Sequence, residues 1–212
     1  MGSACRPRDA ARGPGAVPVG NVRCVPISIE PPADAEAPQR NPKAPAPGER
    51  TTSHFEGCRG CGDVPGSLRV RSWVGDDGVS VISRFDVLSE HQGAPGLLHG
   101  GMLMTAFDDA LGTAYTQVTR SAVTARLETD FRRPVPVGAT VWLHSRVDAR
   151  QGRKIYVSGE ARLHALDGEV VGTARALFLK VGVEHFLRHG RPEDLEALGA
   201  SREVIEAARG AG

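Results

Sequence analysis

Two periodicities alternate along the chain. Residues 67–75 (SLRVRSWVG) and 78–87 (GVSVISRFDV) interleave apolar and polar positions, and the Gly-Asp-Asp-Gly stretch at 75–78 joins them, which predicts a hairpin. After the punctuation of GAPGLLHGG, the stretch MLMTAFDDALGTAYTQ changes to helical spacing. Four further alternating runs follow: VTARLETDF, TVWLHSRVDAR, KIYVSGEARLHA and EVVGTARALFLKV. In the KIYVSGEARLHA run, Ile155, Val157, Ala161, Leu163 and Ala165 share one face, while Tyr156, Ser158, Glu160, Arg162 and His164 take the other. That second face is either wet or shared with a partner. Pro134, Pro136 and Gly138, then Gly152, then Asp167 and Gly168 supply turns between these runs, and such short links favour antiparallel neighbours. Two strands, one long helix and four strands predict an α+β layer, in which a curved, mostly antiparallel sheet of about six strands wraps a single helix. Beyond residue 182, EHFLRHG has no clear pattern, whereas RPEDLEALG and SREVIEAARG read as two short helices.

The first 50 residues hold ten of the fifteen prolines and no periodicity. In isolation such a segment buries too little apolar surface to offset its ordering entropy, so a disordered extension is expected. The predicted organisation is therefore a Pro-rich extension over 1–56, a folded domain over 57–182 and a short helical appendage over 183–212. Basic and acidic residues nearly cancel, 26 against 25, so no global field marks a nucleic-acid or membrane-surface partner. No apolar run is long enough to span a membrane and the first thirty residues lack a signal-peptide core, so a cytoplasmic protein is expected. Cys5, Cys24, Cys58 and Cys61 are too few and too uneven for a disulfide framework, so reduced thiols are expected.

On a helical wheel Leu103, Phe107, Ala110, Leu111 and Ala114 form an apolar stripe, with Met104 and Tyr115 at its margin. Asp109 falls opposite, with Thr105 and Thr113, where a solvated acid is expected. Asp108 falls at the rim of the stripe, beside Tyr115 and Met104 on one side and Gly112 on the other. A carboxylate there is either a partly desolvated catalytic group or a surface acid tilted to water. Gly100 and Gly101 open the helix, and its first amides, unpaired and at the positive end of the dipole, form either an oxyanion site or an ordinary tight turn. Gly100 and Asp108 are eight residues apart, about 12 Å along a helix, too far to serve one carbonyl group. If they cooperate, the donor of one subunit meets the carboxylate of another across a twofold axis, and the protein is an obligate homodimer.

The set His99-Gly100-Gly101, Asp108 nine residues after the His, Thr124 sixteen residues further on, and Phe131-Arg132-Arg133-Pro134 resembles the hotdog-fold acyl-CoA thioesterases. The likeness is to the phenylacetate-degradation-type and THEM4-like branch of the 4-hydroxybenzoyl-CoA thioesterase superfamily, and covers roughly residues 57–182. The resemblance implies a hotdog fold and hydrolysis of acyl-CoA to free acid and coenzyme A by a homodimer or a dimer of dimers. It implies Asp108 as the catalytic carboxylate, either general base or nucleophile, the Gly100 amide as polariser of the thioester carbonyl, His99 as shaper of that loop, and Thr124 as an aid in positioning water. Gly101, Gln92, Arg132 and Arg133 are the candidate substrate contacts; Arg153 and Lys154 are further candidates for the coenzyme A phosphates. One departure is Gly93, where many relatives place an Asn six residues before the His; His91 or Gln92 is then the polar side chain at hand. Strand alternation sets Thr124 opposite Val123, Ala125 and Leu127, which helps only if that face meets a partner. A leaving thiol of pKa about 8.5 departs without a strong acid, so the chemistry calls for no cofactor.

His54, Cys58 and Cys61 have the look of a zinc knuckle, since Cys-x-x-Cys is a common ligand pair. No fourth ligand of suitable spacing follows, and related thioesterases often carry Cys-x-x-Cys-Gly before the first strand, where a tight turn accounts for it. No metal is assigned, although a site shared between subunits stays open. No Gly-x-Ser-x-Gly elbow occurs, and His144 and His164 read as strand residues. The rival readings are a hotdog protein that binds acyl-CoA without hydrolysing it, as sensor or regulator, and a dehydratase, whose usual His and Asp pair is not evident.

Overall fold

The computed structural model describes residues 28–210. Its centre is helix α1, Gly100–Thr116, whose Leu103, Ala106, Phe107, Ala110, Leu111 and Ala114 are all at most 2% exposed. The strands ahead of it are β1 (Arg71–Val74), β2 (Ser80–Asp86) and a small hairpin of β3 (Gln92–Ala94) with β4 (Leu97–Leu98). After it come β5 (Ala122–Phe131), β6 (Thr140–Gln151), β7 (Lys154–Leu163) and β8 (Val170–Lys180). Six of these form one antiparallel sheet in the order β1-β2-β6-β7-β8-β5. The α1 stripe packs into its concave face against Val81, Phe85, Val141, Leu143 and Val171. Register shifts in the pairings of β5 with β8, β6 with β7 and β7 with β8 locate bulges at Ala125, Asp148 and Val171, which bend and twist a sheet and so help it to curl round a helix.

The α+β architecture is thus the expected one, with β1 shorter than the alternation of residues 67–75 implied. Leu68 and Val70 instead donate their amides to Arg59 and Gly60, tying the start of β1 to the loop before it. The EHFLRHG stretch forms α2 (Val183–His189), followed by α3 (Pro192–Ala197) and α4 (Arg202–Gly210). The three pack on one another, with Leu187 and Ile205 buried. Among the described residues no helix is long and apolar enough to cross a membrane.

The expectation of disorder over 1–56 needs correction in its described part; residues 1–27 lie outside the described residues. Residues 28–56 run along the sheet. Glu36 and Arg150 exchange backbone hydrogen bonds of 2.8 and 2.9 Å, and Glu49 and Thr51 bond to Val74 and Ser72 of β1. Ala35 packs on a small cluster of Ala149, Tyr156 and Leu177, which covers part of the face expected to be wet or shared. The composition argument holds for the segment alone; unpaired backbone along the sheet supplies hydrogen bonds that the isolated segment lacks. The arm therefore covers the β1 edge, while β5 at the other edge pairs, among the described residues, only with β8. Replacing Phe107, which is 0% exposed, with Ala should lower the unfolding free energy in urea by about 3–5 kcal/mol, and a cost under about 1 kcal/mol would remove this ring from the core.

Candidate active site

His99 is the N-cap of α1, in extended conformation, and its Nδ1 accepts the Gly101 amide at 2.8 Å. The next amides, of Met102 and Leu103, bond to the His99 carbonyl. Among the described residues the Gly100 amide takes no partner, so it is the one left free at the positive helix end. The Gly101 amide, a candidate substrate contact, is already occupied by the cap. His99 is held in turn by its own amide, which donates to the His91 carbonyl at 2.9 Å.

Gly93 has a steric reason. A Cβ there would lie 2.7 Å from the Cα and Cδ2 of His99, closer than real carbons approach, so an Asn at this position would displace the cap. Neither neighbour takes over an Asn's place. The buried His91 accepts the Leu88 amide through Nδ1 at 3.1 Å, and Gln92 accepts the Gly96 amide at 2.7 Å, closing the turn between β3 and β4.

Asp108 is half-buried on α1, and Oγ1 of Thr124 donates to its Oδ1 at 2.8 Å. Simple alternation would set Thr124 on the face opposite Leu127, yet the β5 bulge between Thr124 and Arg126 changes the count. Ala122 and Leu127 both pack in the main core, whereas Ala125 packs on the far-side cluster, so Thr124 shares its face with the helix. Beside them the Tyr115 hydroxyl donates to the Ala122 carbonyl at 3.0 Å, fastening α1 to β5. Burial pushes this phenol's pKa up, with the nearby Asp108 charge adding to the effect. From Thr124 beside Asp108, β5 runs back along α1 to Phe131. There a Cβ on Gly100 would touch the Phe131 ring at 3.4 Å. One chain thus holds the carboxylate at one end of β5 and the free amide at the other.

Asp109 contradicts its expected solvated position: it is 7% exposed. The outer face of α1 is covered here by residues 54–61, a tertiary contact that a helical wheel does not contain. The Sγ of Cys58 donates to Asp109 Oδ1 at 3.6 Å, and His54 Nδ1 lies 3.8 Å from the same oxygen. Burial pushes the Asp109 carboxyl above the usual carboxylate range, and pushes the Cys58 and Cys61 thiols up as well.

The sequence model of the thioesterase superfamily matches residues 95–171, from the β3–β4 turn into β8. The fold is the hotdog fold, and residues 95–171 are similar to the thioesterase superfamily. Two curated relatives, each an acyl-coenzyme A thioesterase THEM4, are 35% identical over 91 residues in Xenopus laevis and 41% identical over 95 residues in Bos taurus. The matches cover 42% and 44% of this chain and 40% and 38% of theirs, so the chain spans about two fifths of the length of these relatives. A solved thioesterase superfamily protein superposes with a TM-score of 0.50 at 30% identity, covering 54% of this chain and 55% of its own. The Escherichia coli PaaI protein, from the phenylacetic acid degradation operon, gives 0.50 at 21% identity over 54% of this chain and 81% of its own, a likeness of fold.

Within the matched region Arg132 and Arg133 both donate their amides to the Val171 carbonyl, next to Phe131 and the Gly100 end. Their exposed side chains pair with Asp130 and Glu169, so an incoming anion would have to compete with those acids. Arg153 donates to the Lys180 carbonyl at 3.0 Å, and with Lys154 it lies at the Ala122 end of β5. Replacing His99 with Ala should cost about 0.5–2 kcal/mol of stability through loss of the helix cap, while Asn, a good cap, should recover most of it. Chemical unfolding of the two variants against the parent is the check.

Proposed function

We propose that the protein is an acyl-CoA thioesterase with two sites at a homodimer interface, each built from Asp108 and Thr124 of one subunit and the Gly100 amide of the other. The reading rests on the 2.8 Å bond that aims Asp108 along Thr124 at the rim of the open β5 edge. Antiparallel pairing of β5 with the β5 of a second copy, about an axis near Leu127 and Glu128, would set Thr124 opposite the partner's Phe131. It would thereby bring the partner's Gly100 to Asp108. The curated relatives' names support the substrate class, a thioester of coenzyme A.

In this scheme Asp108 takes a proton from water as the water oxygen bonds to the thioester carbonyl carbon, and the Gly100 amide of the partner holds the negative oxygen. Collapse breaks the C–S bond, and the thiolate leaves with the proton that Asp108 held. His99 acts by holding the loop, and Arg132 and Arg133 are the proposed contacts for the coenzyme A phosphates, released from Asp130 and Glu169. The free Cys58 and Cys61 are in keeping with a reducing compartment, the cytoplasm in the first instance. A non-catalytic acyl-CoA sensor is favoured by one observation: Gly93 brings no polar side chain to the position beside His99.

Thiol release from a panel of aliphatic and aromatic acyl-CoAs separates the two readings. Asp108→Asn should retain its fold and lose at least about 100-fold in kcat. Thr124→Val should lose about 10–150-fold, the worth of one hydrogen bond to a charged group. Tight binding of acyl-CoA to the parent without thiol release would select the sensor. Light scattering should give a dimer or a multiple of it; a monomer that turns over would refute the shared site.

A further inference from the structure

Four side chains, three from the loop at 54–61 and one from α1, converge behind Asp108. The Nδ1 of His54, the Sγ atoms of Cys58 and Cys61, and a carboxylate oxygen of Asp109 all lie within 4.8 Å of one another. His54 Nδ1 is 3.2 Å from Cys61 Sγ, and Cys58 Sγ is 3.6 Å from Asp109 Oδ1. Ligand atoms around a tetrahedral zinc ion, with bonds of about 2.0–2.3 Å, stand roughly 3.3–3.8 Å apart. The cluster has the right size with small adjustments.

We propose that His54, Cys58, Cys61 and Asp109 bind one zinc ion per chain. The Asp109 side chain is 4% exposed; its Oδ1 faces Cys58 and His54, and its Oδ2 has no hydrogen-bond partner among the described residues although it lies within protein. A buried carboxylate oxygen left unpaired is costly, and a cation removes that cost. The loop is shaped for close approach: a Cβ on Gly60 would meet Asp109 Oδ1 at 2.6 Å, so only glycine lets the turn press on the carboxylate. The Gly60 amide points at Cys58 Sγ, at 3.3 Å, where it would stabilise a thiolate. Two soft sulfurs, one imidazole and one carboxylate select zinc over magnesium or calcium, which take oxygen ligands.

Four protein ligands leave no open position, so the ion is structural. It pins the loop at 54–61 to the middle of α1, one residue from Asp108, and thereby helps set the rotation of the helix. This assignment does not depend on the thioesterase reading. The sequence lacked a nearby fourth ligand because that ligand comes from α1.

The test is metal analysis of the full chain, purified without chelator and passed over a desalting column, followed by cobalt substitution. One equivalent of zinc per chain is expected, and cobalt should give thiolate charge-transfer bands with the strong visible absorption of a tetrahedral site. Cys61→Ser should at least halve those bands. Asp109→Asn and His54→Gln should each weaken zinc binding by more than the ~10–100-fold typical of outer-shell partners. His54 is 62% exposed in its side chain, so its replacement reports on binding without endangering the fold. A chain that holds substoichiometric zinc even after refolding with the ion would overturn the proposal. So would cobalt bands indifferent to these substitutions, or a Cys58–Cys61 disulfide in the protein as isolated.

Discussion

The packing of the α1 apolar stripe into the concave sheet is the constraint from which the other placements follow. A helix that buries Leu103, Phe107, Ala110, Leu111 and Ala114 against one surface has little freedom left to rotate about its axis. Residue 108 then falls at the rim, within reach of β5, and residue 109 faces the other way. The adjacent acids of α1 thus enter two environments that differ completely: Asp108 accepts a hydroxyl, and Asp109 is enclosed by thiols and an imidazole.

The two edges of the sheet are treated differently. Glu49 and Thr51 occupy the β1 edge with backbone hydrogen bonds, which blunts it against further pairing. Among the described residues no such cover lies on β5, whose ten residues run from beside Asp108, midway along α1, to the Gly100 end of the helix. A second copy paired there would use the strand's antiparallel symmetry to bring those ends together, and this is why the proposed site and the proposed dimer stand or fall together. In the proposed dimer neither chain completes a site alone, because its carboxylate sits midway along α1 and its free amide at the helix start.

The folded arm and the cysteine loop show where one-dimensional reasoning stopped. Alternation and helical spacing located every strand of the main sheet and the long helix, because those periods are local consequences of backbone geometry. The resemblance implies a role for Thr124, while alternation turns it away from the helix; a single-residue bulge, invisible to a period-two count, turns it back. The role of Gly93 became clear only from the His99 atoms beside it. A helical wheel sets Asp109 in water because it records one helix and one partner surface, while a second layer, residues 54–61, arrives from a distant part of the chain.

By itself the sequence determined the layer architecture, the core stripe, the position of Asp108 at the stripe's rim and the glycine-led helix start, since each depends on spacing within one segment. Only the tertiary structure decided that Thr124 reaches Asp108, that the described Pro-rich arm covers an edge, and that His54, Cys58, Cys61 and Asp109 meet. Those outcomes depend on which distant backbone segments approach one another. That is settled by collective packing and hydrogen-bond satisfaction, not by any local period.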